Sequence, residues 1–171
     1  MATLVRASSP ARSAARQAQI VEALWRAQPT RNLWRYVPAE VPPLLAAIGA
    51  AGIAMVVTSN SEGRAAELLA EDDLARHFVA IVDSGVIGVS KPDKRIFEAA
   101  AAKVGVPLSS IVHVGDSESA DVVGAKEAGA YAIRFDRFVP GSEHAPTIAD
   151  ARALTYPELR AHLAHALDRS L

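Results

Sequence analysis

Three polar clusters interrupt an otherwise apolar chain, and each holds residue types able to handle a charged ligand. Thr58-Ser59-Asn60 follows the apolar run at 53–57. Lys91 stands in Gly-Val-Ser-Lys-Pro-Asp. Asp116 and Asp121 lie five positions apart in Val-His-Val-Gly-Asp-Ser-Glu-Ser-Ala-Asp. An acid directly after a strand and a glycine is exposed at the strand end, where its hard oxygens can face a cation such as Mg²⁺. Asp121, about one turn into the next helix, can orient a ligand or a metal-bound water. The Ser59 hydroxyl, with free backbone N–H groups behind it, suits a phosphate or carboxylate oxygen, and Asn60 can hold that loop. A lysine ahead of a fixed proline can neutralise charge developing on a transferring phosphoryl group. Each cluster also has a plainer reading: Ser-Asn and Asp-Ser cap helices, an early Asp complements the helix dipole, and a lone lysine is solvated surface. What weighs against the plainer readings is that each cluster ends a different strand candidate.

The elements that must position these clusters alternate from Val41 onward. Pro-Pro-Leu-Leu-Ala-Ala-Ile-Gly-Ala-Ala-Gly reads as a helix that begins on proline and stops at glycine. Strands are expected at 53–57, 78–85, 111–114 and 131–135, with helices over 62–78, 93–105 and 118–129 and a last amphipathic helix from Pro157. In the helix over 93–105, Ile96, Ala100 and Val104 share one face. Apolar strands without alternation are buried on both sides, so the expected fold class is α/β, a Rossmann-like three-layer parallel sheet with helices on both faces. Ligands of such sheets bind beyond the carboxyl ends of the strands, where all three clusters fall. Residues 139–150 read as a loop. Residues 1–40 do not follow the alternation, and a helical segment near 12–28 precedes an irregular stretch around Trp34, so the expected division is 1–40 and 41–171.

Composition narrows the function. The 171 residues are half apolar and 22% charged, with net charge −1, so no field directs this surface toward nucleic acid or anionic lipid. Cysteine is absent, which removes disulfides, thiolate metal sites and cysteine nucleophiles. No apolar run approaches the roughly 18–20 residues that span a bilayer. Arg6, Arg12 and Arg16 with no acid before Glu22 resemble a transit peptide, but an ordinary Ala/Arg-rich chain end is the reading adopted, and the expected location is cytoplasmic. The histidines show no metal-ligand grouping, and Gly124-Ala125 and Gly129-Ala130 read as small residues for close helix packing.

Val-Val-Thr-Ser-Asn-Ser-Glu-Gly, Gly-Val-Ser-Lys-Pro-Asp-Lys-Arg-Ile-Phe-Glu-Ala-Ala and Ile-Val-His-Val-Gly-Asp-Ser-Glu-Ser-Ala-Asp-Val-Val-Gly-Ala resemble, in order and spacing, the second, third and fourth motifs of the haloacid dehalogenase superfamily. The resemblance runs from about Val41 to Phe135. It implies a Mg²⁺-dependent hydrolase of a small phosphorylated or halogenated molecule. In that family Ser59 would bind a phosphoryl oxygen and Asn60 would support its loop. Lys91 would orient the nucleophile and screen charge, and Asp116 would ligate Mg²⁺ with Asp121 in support. The family's first motif, a strand ending in Asp-x-Asp that carries the aspartyl nucleophile, has no counterpart anywhere in the 171 residues. Asp72, Asp73 and Asp136 are the first candidates for a replacement. Residues 12–36 resemble the rear of the cap that normally follows that motif.

Two consequences are expected. Covalent catalysis lacks its nucleophile, so the chain is read as inactive or impaired in this form. The usual first central strand is also missing from between the strands of the second and fourth motifs, which would leave backbone groups unpaired. The flanking strands could close up, residues 2–6 (Ala-Thr-Leu-Val-Arg) could fill the slot, or another chain could supply a strand, which would make a homodimer possible. The other readings are a catalytically dead module that at most binds Mg²⁺ and an anion, and a receiver or nucleotide-binding domain of flavodoxin-like topology. The last leaves Ser59, Lys91 and Asp116 unexplained as a set.

Overall fold

The computed structural model describes residues 13–27, 36–138, 141, 144–168 and 170–171. Arg6, Arg12, residues 2–6 and Trp34 fall outside them. The chain divides into two units, Met1–Val37 and Pro38–Leu171. The first contributes helix α1 (Ala14–Ala27).

In the second unit, α2 (Val41–Ala50) starts on the two prolines, whose missing N–H groups cost nothing in a first helical turn. Then follow β1 (Val56–Ser59), α3 (Ala65–Glu71), β2 (Ala80–Asp83), a single turn α4 (Ser84–Ile87) and α5 (Lys94–Val104). The second half is β3 (Val112–Gly115), a π-helical turn (Glu118–Val122) running into α6 (Val123–Ala128), β4 (Tyr131–Phe135), β5 (Ala151–Ala153) and α7 (Tyr156–Leu167). Every strand pairing is parallel, and helices pack on both faces of the sheets. On one face α5 and α6 bury Ile96, Phe97, Val122 and Ala125 with Val82 and Ala132. On the other, α2 and α7 bury Ile48, Tyr156, Leu159 and Leu163 with Ile133 and Ala153. Full burial of Ile96 and Ile133 contributes roughly 1.5–3 kcal/mol each.

Several boundaries differ from the sequence reading, each for a local reason. β1 spans Val56–Ser59 rather than 53–57, because its ladder with β2 runs from Val56 opposite Ala80 to Ser59 opposite Asp83. β2 stops at Asp83 because that side chain turns to cap the following turn, accepting from Gly85 N at 2.8 Å. The helix expected at 118 opens as a π turn, with Asp121 N and Val122 N both donating to Ser117 O. β5 is unexpected: Ala-Arg-Ala carries no strand signature and is held by β4, with Asp136 N donating to Ala153 O at 3.0 Å. Gly124 does pack closely, since an added Cβ would stand 2.9 Å from Phe97 and from Pro92; its partner is α5 rather than the sheet. Gly129 instead ends α6 in the left-handed region.

The parallel strands form two sheets, β1-β2 and β3-β4-β5. Among the described residues no strand lies between β1 and β3, and no backbone hydrogen bond joins them, so these two have not closed up on each other. Both are half-buried along their whole length, whereas the three middle residues of β4 are buried.

Candidate functional site

The carboxyl ends of β1 and β3 are tied together by one lysine. Asn60, just beyond β1, grips the main chain of Lys91 from both sides: its Nδ2 donates to Lys91 O at 2.9 Å and its Oδ1 accepts from Lys91 N at 2.8 Å. This fixes the lysine backbone, and the side chain then reaches back across the strand ends. Lys91 Nζ donates to Thr58 O of β1 at 2.9 Å and meets Asp121 Oδ1 at 2.7 Å. The same Oδ1 accepts from Nε2 of His113 on β3 at 3.0 Å, while Oδ2 accepts from Ser117 N at 3.0 Å. The His113 ring stands edge-on to Phe97 of α5, which sets its angle.

Asp121 is therefore a buried, fully engaged carboxylate, with 6% of its side chain exposed. Burial pushes its carboxyl up, but the bonds from His113, Lys91 and Ser117 outweigh that, and the net effect holds it well below the usual carboxylate range. The close fit depends on Gly115: a Cβ there would lie 2.2 Å from Asp121 Cγ. Asp121 thus anchors Lys91 and the turn after β3, and its oxygens are already taken by donors.

Asp116 is the opposite case. It is exposed and makes no hydrogen bond or ion pair to a described residue. The Ser59 hydroxyl, half-buried at the end of β1, is likewise without a described partner. A cavity of about 250 Å³ opens beside Asp116, lined by Val114, Gly115, Phe135 and the exposed Phe138. Asp121 balances the charge of Lys91, which leaves Asp116 as the uncompensated group and makes the strand ends attractive to a cation. Among the described residues no three His, Cys, Asp or Glu side chains gather as metal donors. A Mg²⁺ ion commonly takes one or two carboxylates and completes its shell with water and phosphate oxygens. One free carboxylate fits such a shared ion, and does not make a dedicated cage.

Sequence reasoning missed His113, because its link to Asp121 runs across a strand, a turn and a π turn that no periodicity encodes. Asp83 was missed too. Its carboxylate accepts from Gly63 N, Ala65 N and Gly85 N at 3.0, 2.9 and 2.8 Å and so shapes the loop after Ser59. Burial raises the Asp83 carboxyl, but these backbone donors and Ser61 leave it lowered overall. A third device, buried Arg134, holds Glu118 at 2.9 Å and Asp136 at 2.8 Å, tying the turn after Asp116 to the loop at 144–150. Asp136 is committed to Arg134 and to Arg152 Nε, 3.3 Å away, and Asp73 pairs with Arg76. Asp72 and Asp73 lie between α3 and the 3₁₀ turn at Ala75–His77, on the connection that leads into the start of β2, whereas Ser59 and Asp116 stand at the carboxyl ends of β1 and β3.

The chain resembles known proteins over this region. A family model, haloacid dehalogenase-like hydrolase, matches residues 9–129. A phosphoserine phosphatase of Thermus thermophilus is 33% identical over 123 residues, 71% of this chain and 48% of that protein. The haloacid dehalogenase-like hydrolase domain-containing protein 3 of Danio rerio is 34% identical over 70% of this chain and 49% of its own length. The chain thus spans about half the length of the curated relatives it matches. Among solved structures, a HAD phosphatase from Thermococcus onnurineus superposes with a TM-score of 0.69 at 28% identity, over 74% of this chain and 58% of that one.

Proposed function

The chain belongs to the haloacid dehalogenase-like hydrolase family, and from that premise we propose that residues 38–171 are the phosphoryl-handling core of a phosphatase for a small phosphorylated molecule. The carrying observation is the Asn60–Lys91–Asp121 clamp, which holds an ammonium at the end of β1 beside Ser59, with the unpartnered Asp116 after β3. Relatives support this choice of substrate class: they include a phosphoserine phosphatase, a glyceraldehyde 3-phosphate phosphatase and a phosphoglycolate phosphatase. A halogenated substrate is the lesser reading, since the likeness to a 2-haloacid dehalogenase at 24% identity speaks for the fold alone.

Roles follow from what each side chain has free. Ser59 offers a hydroxyl to a phosphoryl oxygen. Lys91, held by Asn60 and steadied by Asp121, places positive charge where negative charge builds on a transferring phosphoryl group. Asp116 is the residue that would hold Mg²⁺, which when bound would supply further Lewis-acid charge to the phosphoryl oxygens. Asp121 acts through Lys91 and the β3 turn rather than on the substrate. None of the 171 residues forms an Asp-x-Asp pair, and Asp136 and Asp73 are engaged with arginines. This core therefore binds phosphoryl groups without turning them over efficiently. Cytoplasmic location accords with the absence of cysteine; among the described residues no helix is long and apolar enough to cross a membrane.

Calorimetric titration with inorganic phosphate, with and without Mg²⁺, tests the assignment. Binding should require Mg²⁺ and weaken by roughly tenfold or more in Asp116→Asn and in Lys91→Met, a loss of at least about 1.4 kcal/mol. Phosphate binding that ignores Mg²⁺ and both substitutions would remove the reading.

A further inference from the structure

The cavity beside Asp116 bears on which chemical group can accompany the phosphoryl group, an inference that rests on the phosphoryl reading. Val114 and Phe135, at the ends of β3 and β4, and Phe138 beyond β4 line it with hydrocarbon. Gly115 adds no side chain, and Asp116 is the one polar side chain of the lining. The volume, about 250 Å³, exceeds the roughly 150 Å³ of an apolar cavity that takes up benzene. One aromatic ring with its substituent fits.

The aromatic wall has fixed support. The Phe135 ring packs against the buried Tyr156 at the start of α7, with centroids 5.1 Å apart. The Arg137 guanidinium lies over the same Tyr156 ring at 4.9 Å and over Phe138 at 5.6 Å, and it pairs with Glu40 at 2.9 Å. Both phenylalanines thus lean, directly or through Arg137, on one buried tyrosine. A wall held in this way needs little ordering when a ligand arrives. Charge selects as well. Among the described residues no Lys, Arg or His lines the cavity, and Arg137 is committed to Glu40 and to two ring faces. Lys91 is balanced by Asp121. A carboxylate on the ligand, such as that of phosphoglycolate, would enter a hydrocarbon wall beside Asp116 with no cation of the protein to pair it, and that is costly. An aromatic or aliphatic group gives up only its water there.

We propose that this cavity receives the alcohol half of the phosphorylated ligand, and that this half is a single aromatic ring, with Phe138 setting the preference. Asp116 joins the two regions, because it lines the cavity and also stands at the strand ends with Ser59 and Lys91. The ligand class is a phosphate monoester of an aromatic alcohol. Its phosphoryl end belongs to Ser59, Lys91 and Asp116, and its ring to Val114, Phe135 and Phe138.

Calorimetric titration of the 171-residue chain in Mg²⁺ with phenyl phosphate, methyl phosphate and phosphoglycolate tests this, beside an NMR titration with phenol. Phenyl phosphate should bind roughly tenfold or more tighter than methyl phosphate, the equivalent of about 55 Å² of ring surface taken from water. Phosphoglycolate should bind no tighter than methyl phosphate. Phe138 is 60% exposed, so its replacement leaves the fold in place. Phe138→Ala should cut the phenyl-to-methyl ratio to about threefold or less, and Phe138→Leu, which keeps an apolar wall, should retain most of it. Phenol should shift the Val114 methyl resonances and the ring resonances of Phe135 and Phe138. A ratio near one, a ratio that Phe138→Ala does not move, or phosphoglycolate as the tightest ligand would overturn the proposal. Esters that bind without preference, beside phenol that shifts nothing, would defeat the ring site and leave the phosphoryl reading intact. Esters that fail to bind, beside phenol that shifts those resonances, would defeat the phosphoryl reading while upholding the ring site.

Discussion

Replacing Asp121 by Asn removes one negative charge from the most tightly engaged group of the site. In the native arrangement Oδ1 accepts from Lys91 at 2.7 Å and from His113 at 3.0 Å, and Oδ2 accepts from Ser117 N at 3.0 Å. All three neighbours are donors, so whichever way an Asn amide is turned its NH₂ faces another donor. Breaking a buried ion pair by removing one partner costs about 3–5 kcal/mol. Lys91 keeps Thr58 O and is 12% exposed, so the lower end, about 3 kcal/mol, is expected. For a chain of this size each kcal/mol moves Tm by about 2–4 °C, giving a fall of about 6–12 °C. Urea unfolding supplies the free energy and a melting curve the shift. In a cycle with Lys91→Met the double variant should lose less than the sum of the singles, because Lys91→Met leaves no ammonium to be stranded. A loss below about 1 kcal/mol, or strict additivity in the cycle, would refute the clamp.

Gly115→Ala should destabilise by about 1–3 kcal/mol or more, since the new Cβ would stand 2.2 Å from Asp121 Cγ and overpack the turn; urea unfolding measures it. Asn60→Ala removes both bonds to the Lys91 main chain, and at an exposed position the cost should be about 1 kcal/mol, with phosphate affinity falling while the fold persists in circular dichroism. Asp83 has a lowered carboxyl, so its contribution is full above the unfolded value of about 3.9 and fades as pH falls through the folded value. Acid unfolding of Asp83→Asn should therefore start from lower stability at neutral pH and depend less steeply on pH below about 4.

What the sequence makes legible is what local physics controls. The strand at 131–135 and the helix closed by Gly105 are found where patterning puts them, because β-branched and aromatic residues, or Ile96 and Ala100 on one face, leave few other ways to bury apolar surface. β5 could not be read, since Ala-Arg-Ala becomes a strand only against the edge of β4. The limits of β1 and β2 depend on each other's register and on the Asp83 cap, so both shifted by a few residues. In the site, Ser59, Asn60, Lys91 and Asp116 could be named from their places at strand ends. The grip of Asn60 on Lys91 was not legible, being a contact between residues thirty-one positions apart. Nor was the engagement of Asp121: its spacing from Asp116 suggests a second carboxylate facing a ligand, whereas its oxygens serve Lys91, His113 and Ser117.

Hydrolysis of p-nitrophenyl phosphate by the 171-residue chain, with and without Mg²⁺ and beside Asp116→Asn, tests the central claim most directly. A phosphoryl-handling core without an attacking aspartate should show no turnover above that of the variant, even when phosphate binding is demonstrable. Mg²⁺-dependent turnover that Asp116→Asn abolishes would contradict the account, because it would require a nucleophile within these residues that the arrangement of Asp72, Asp73 and Asp136 does not offer.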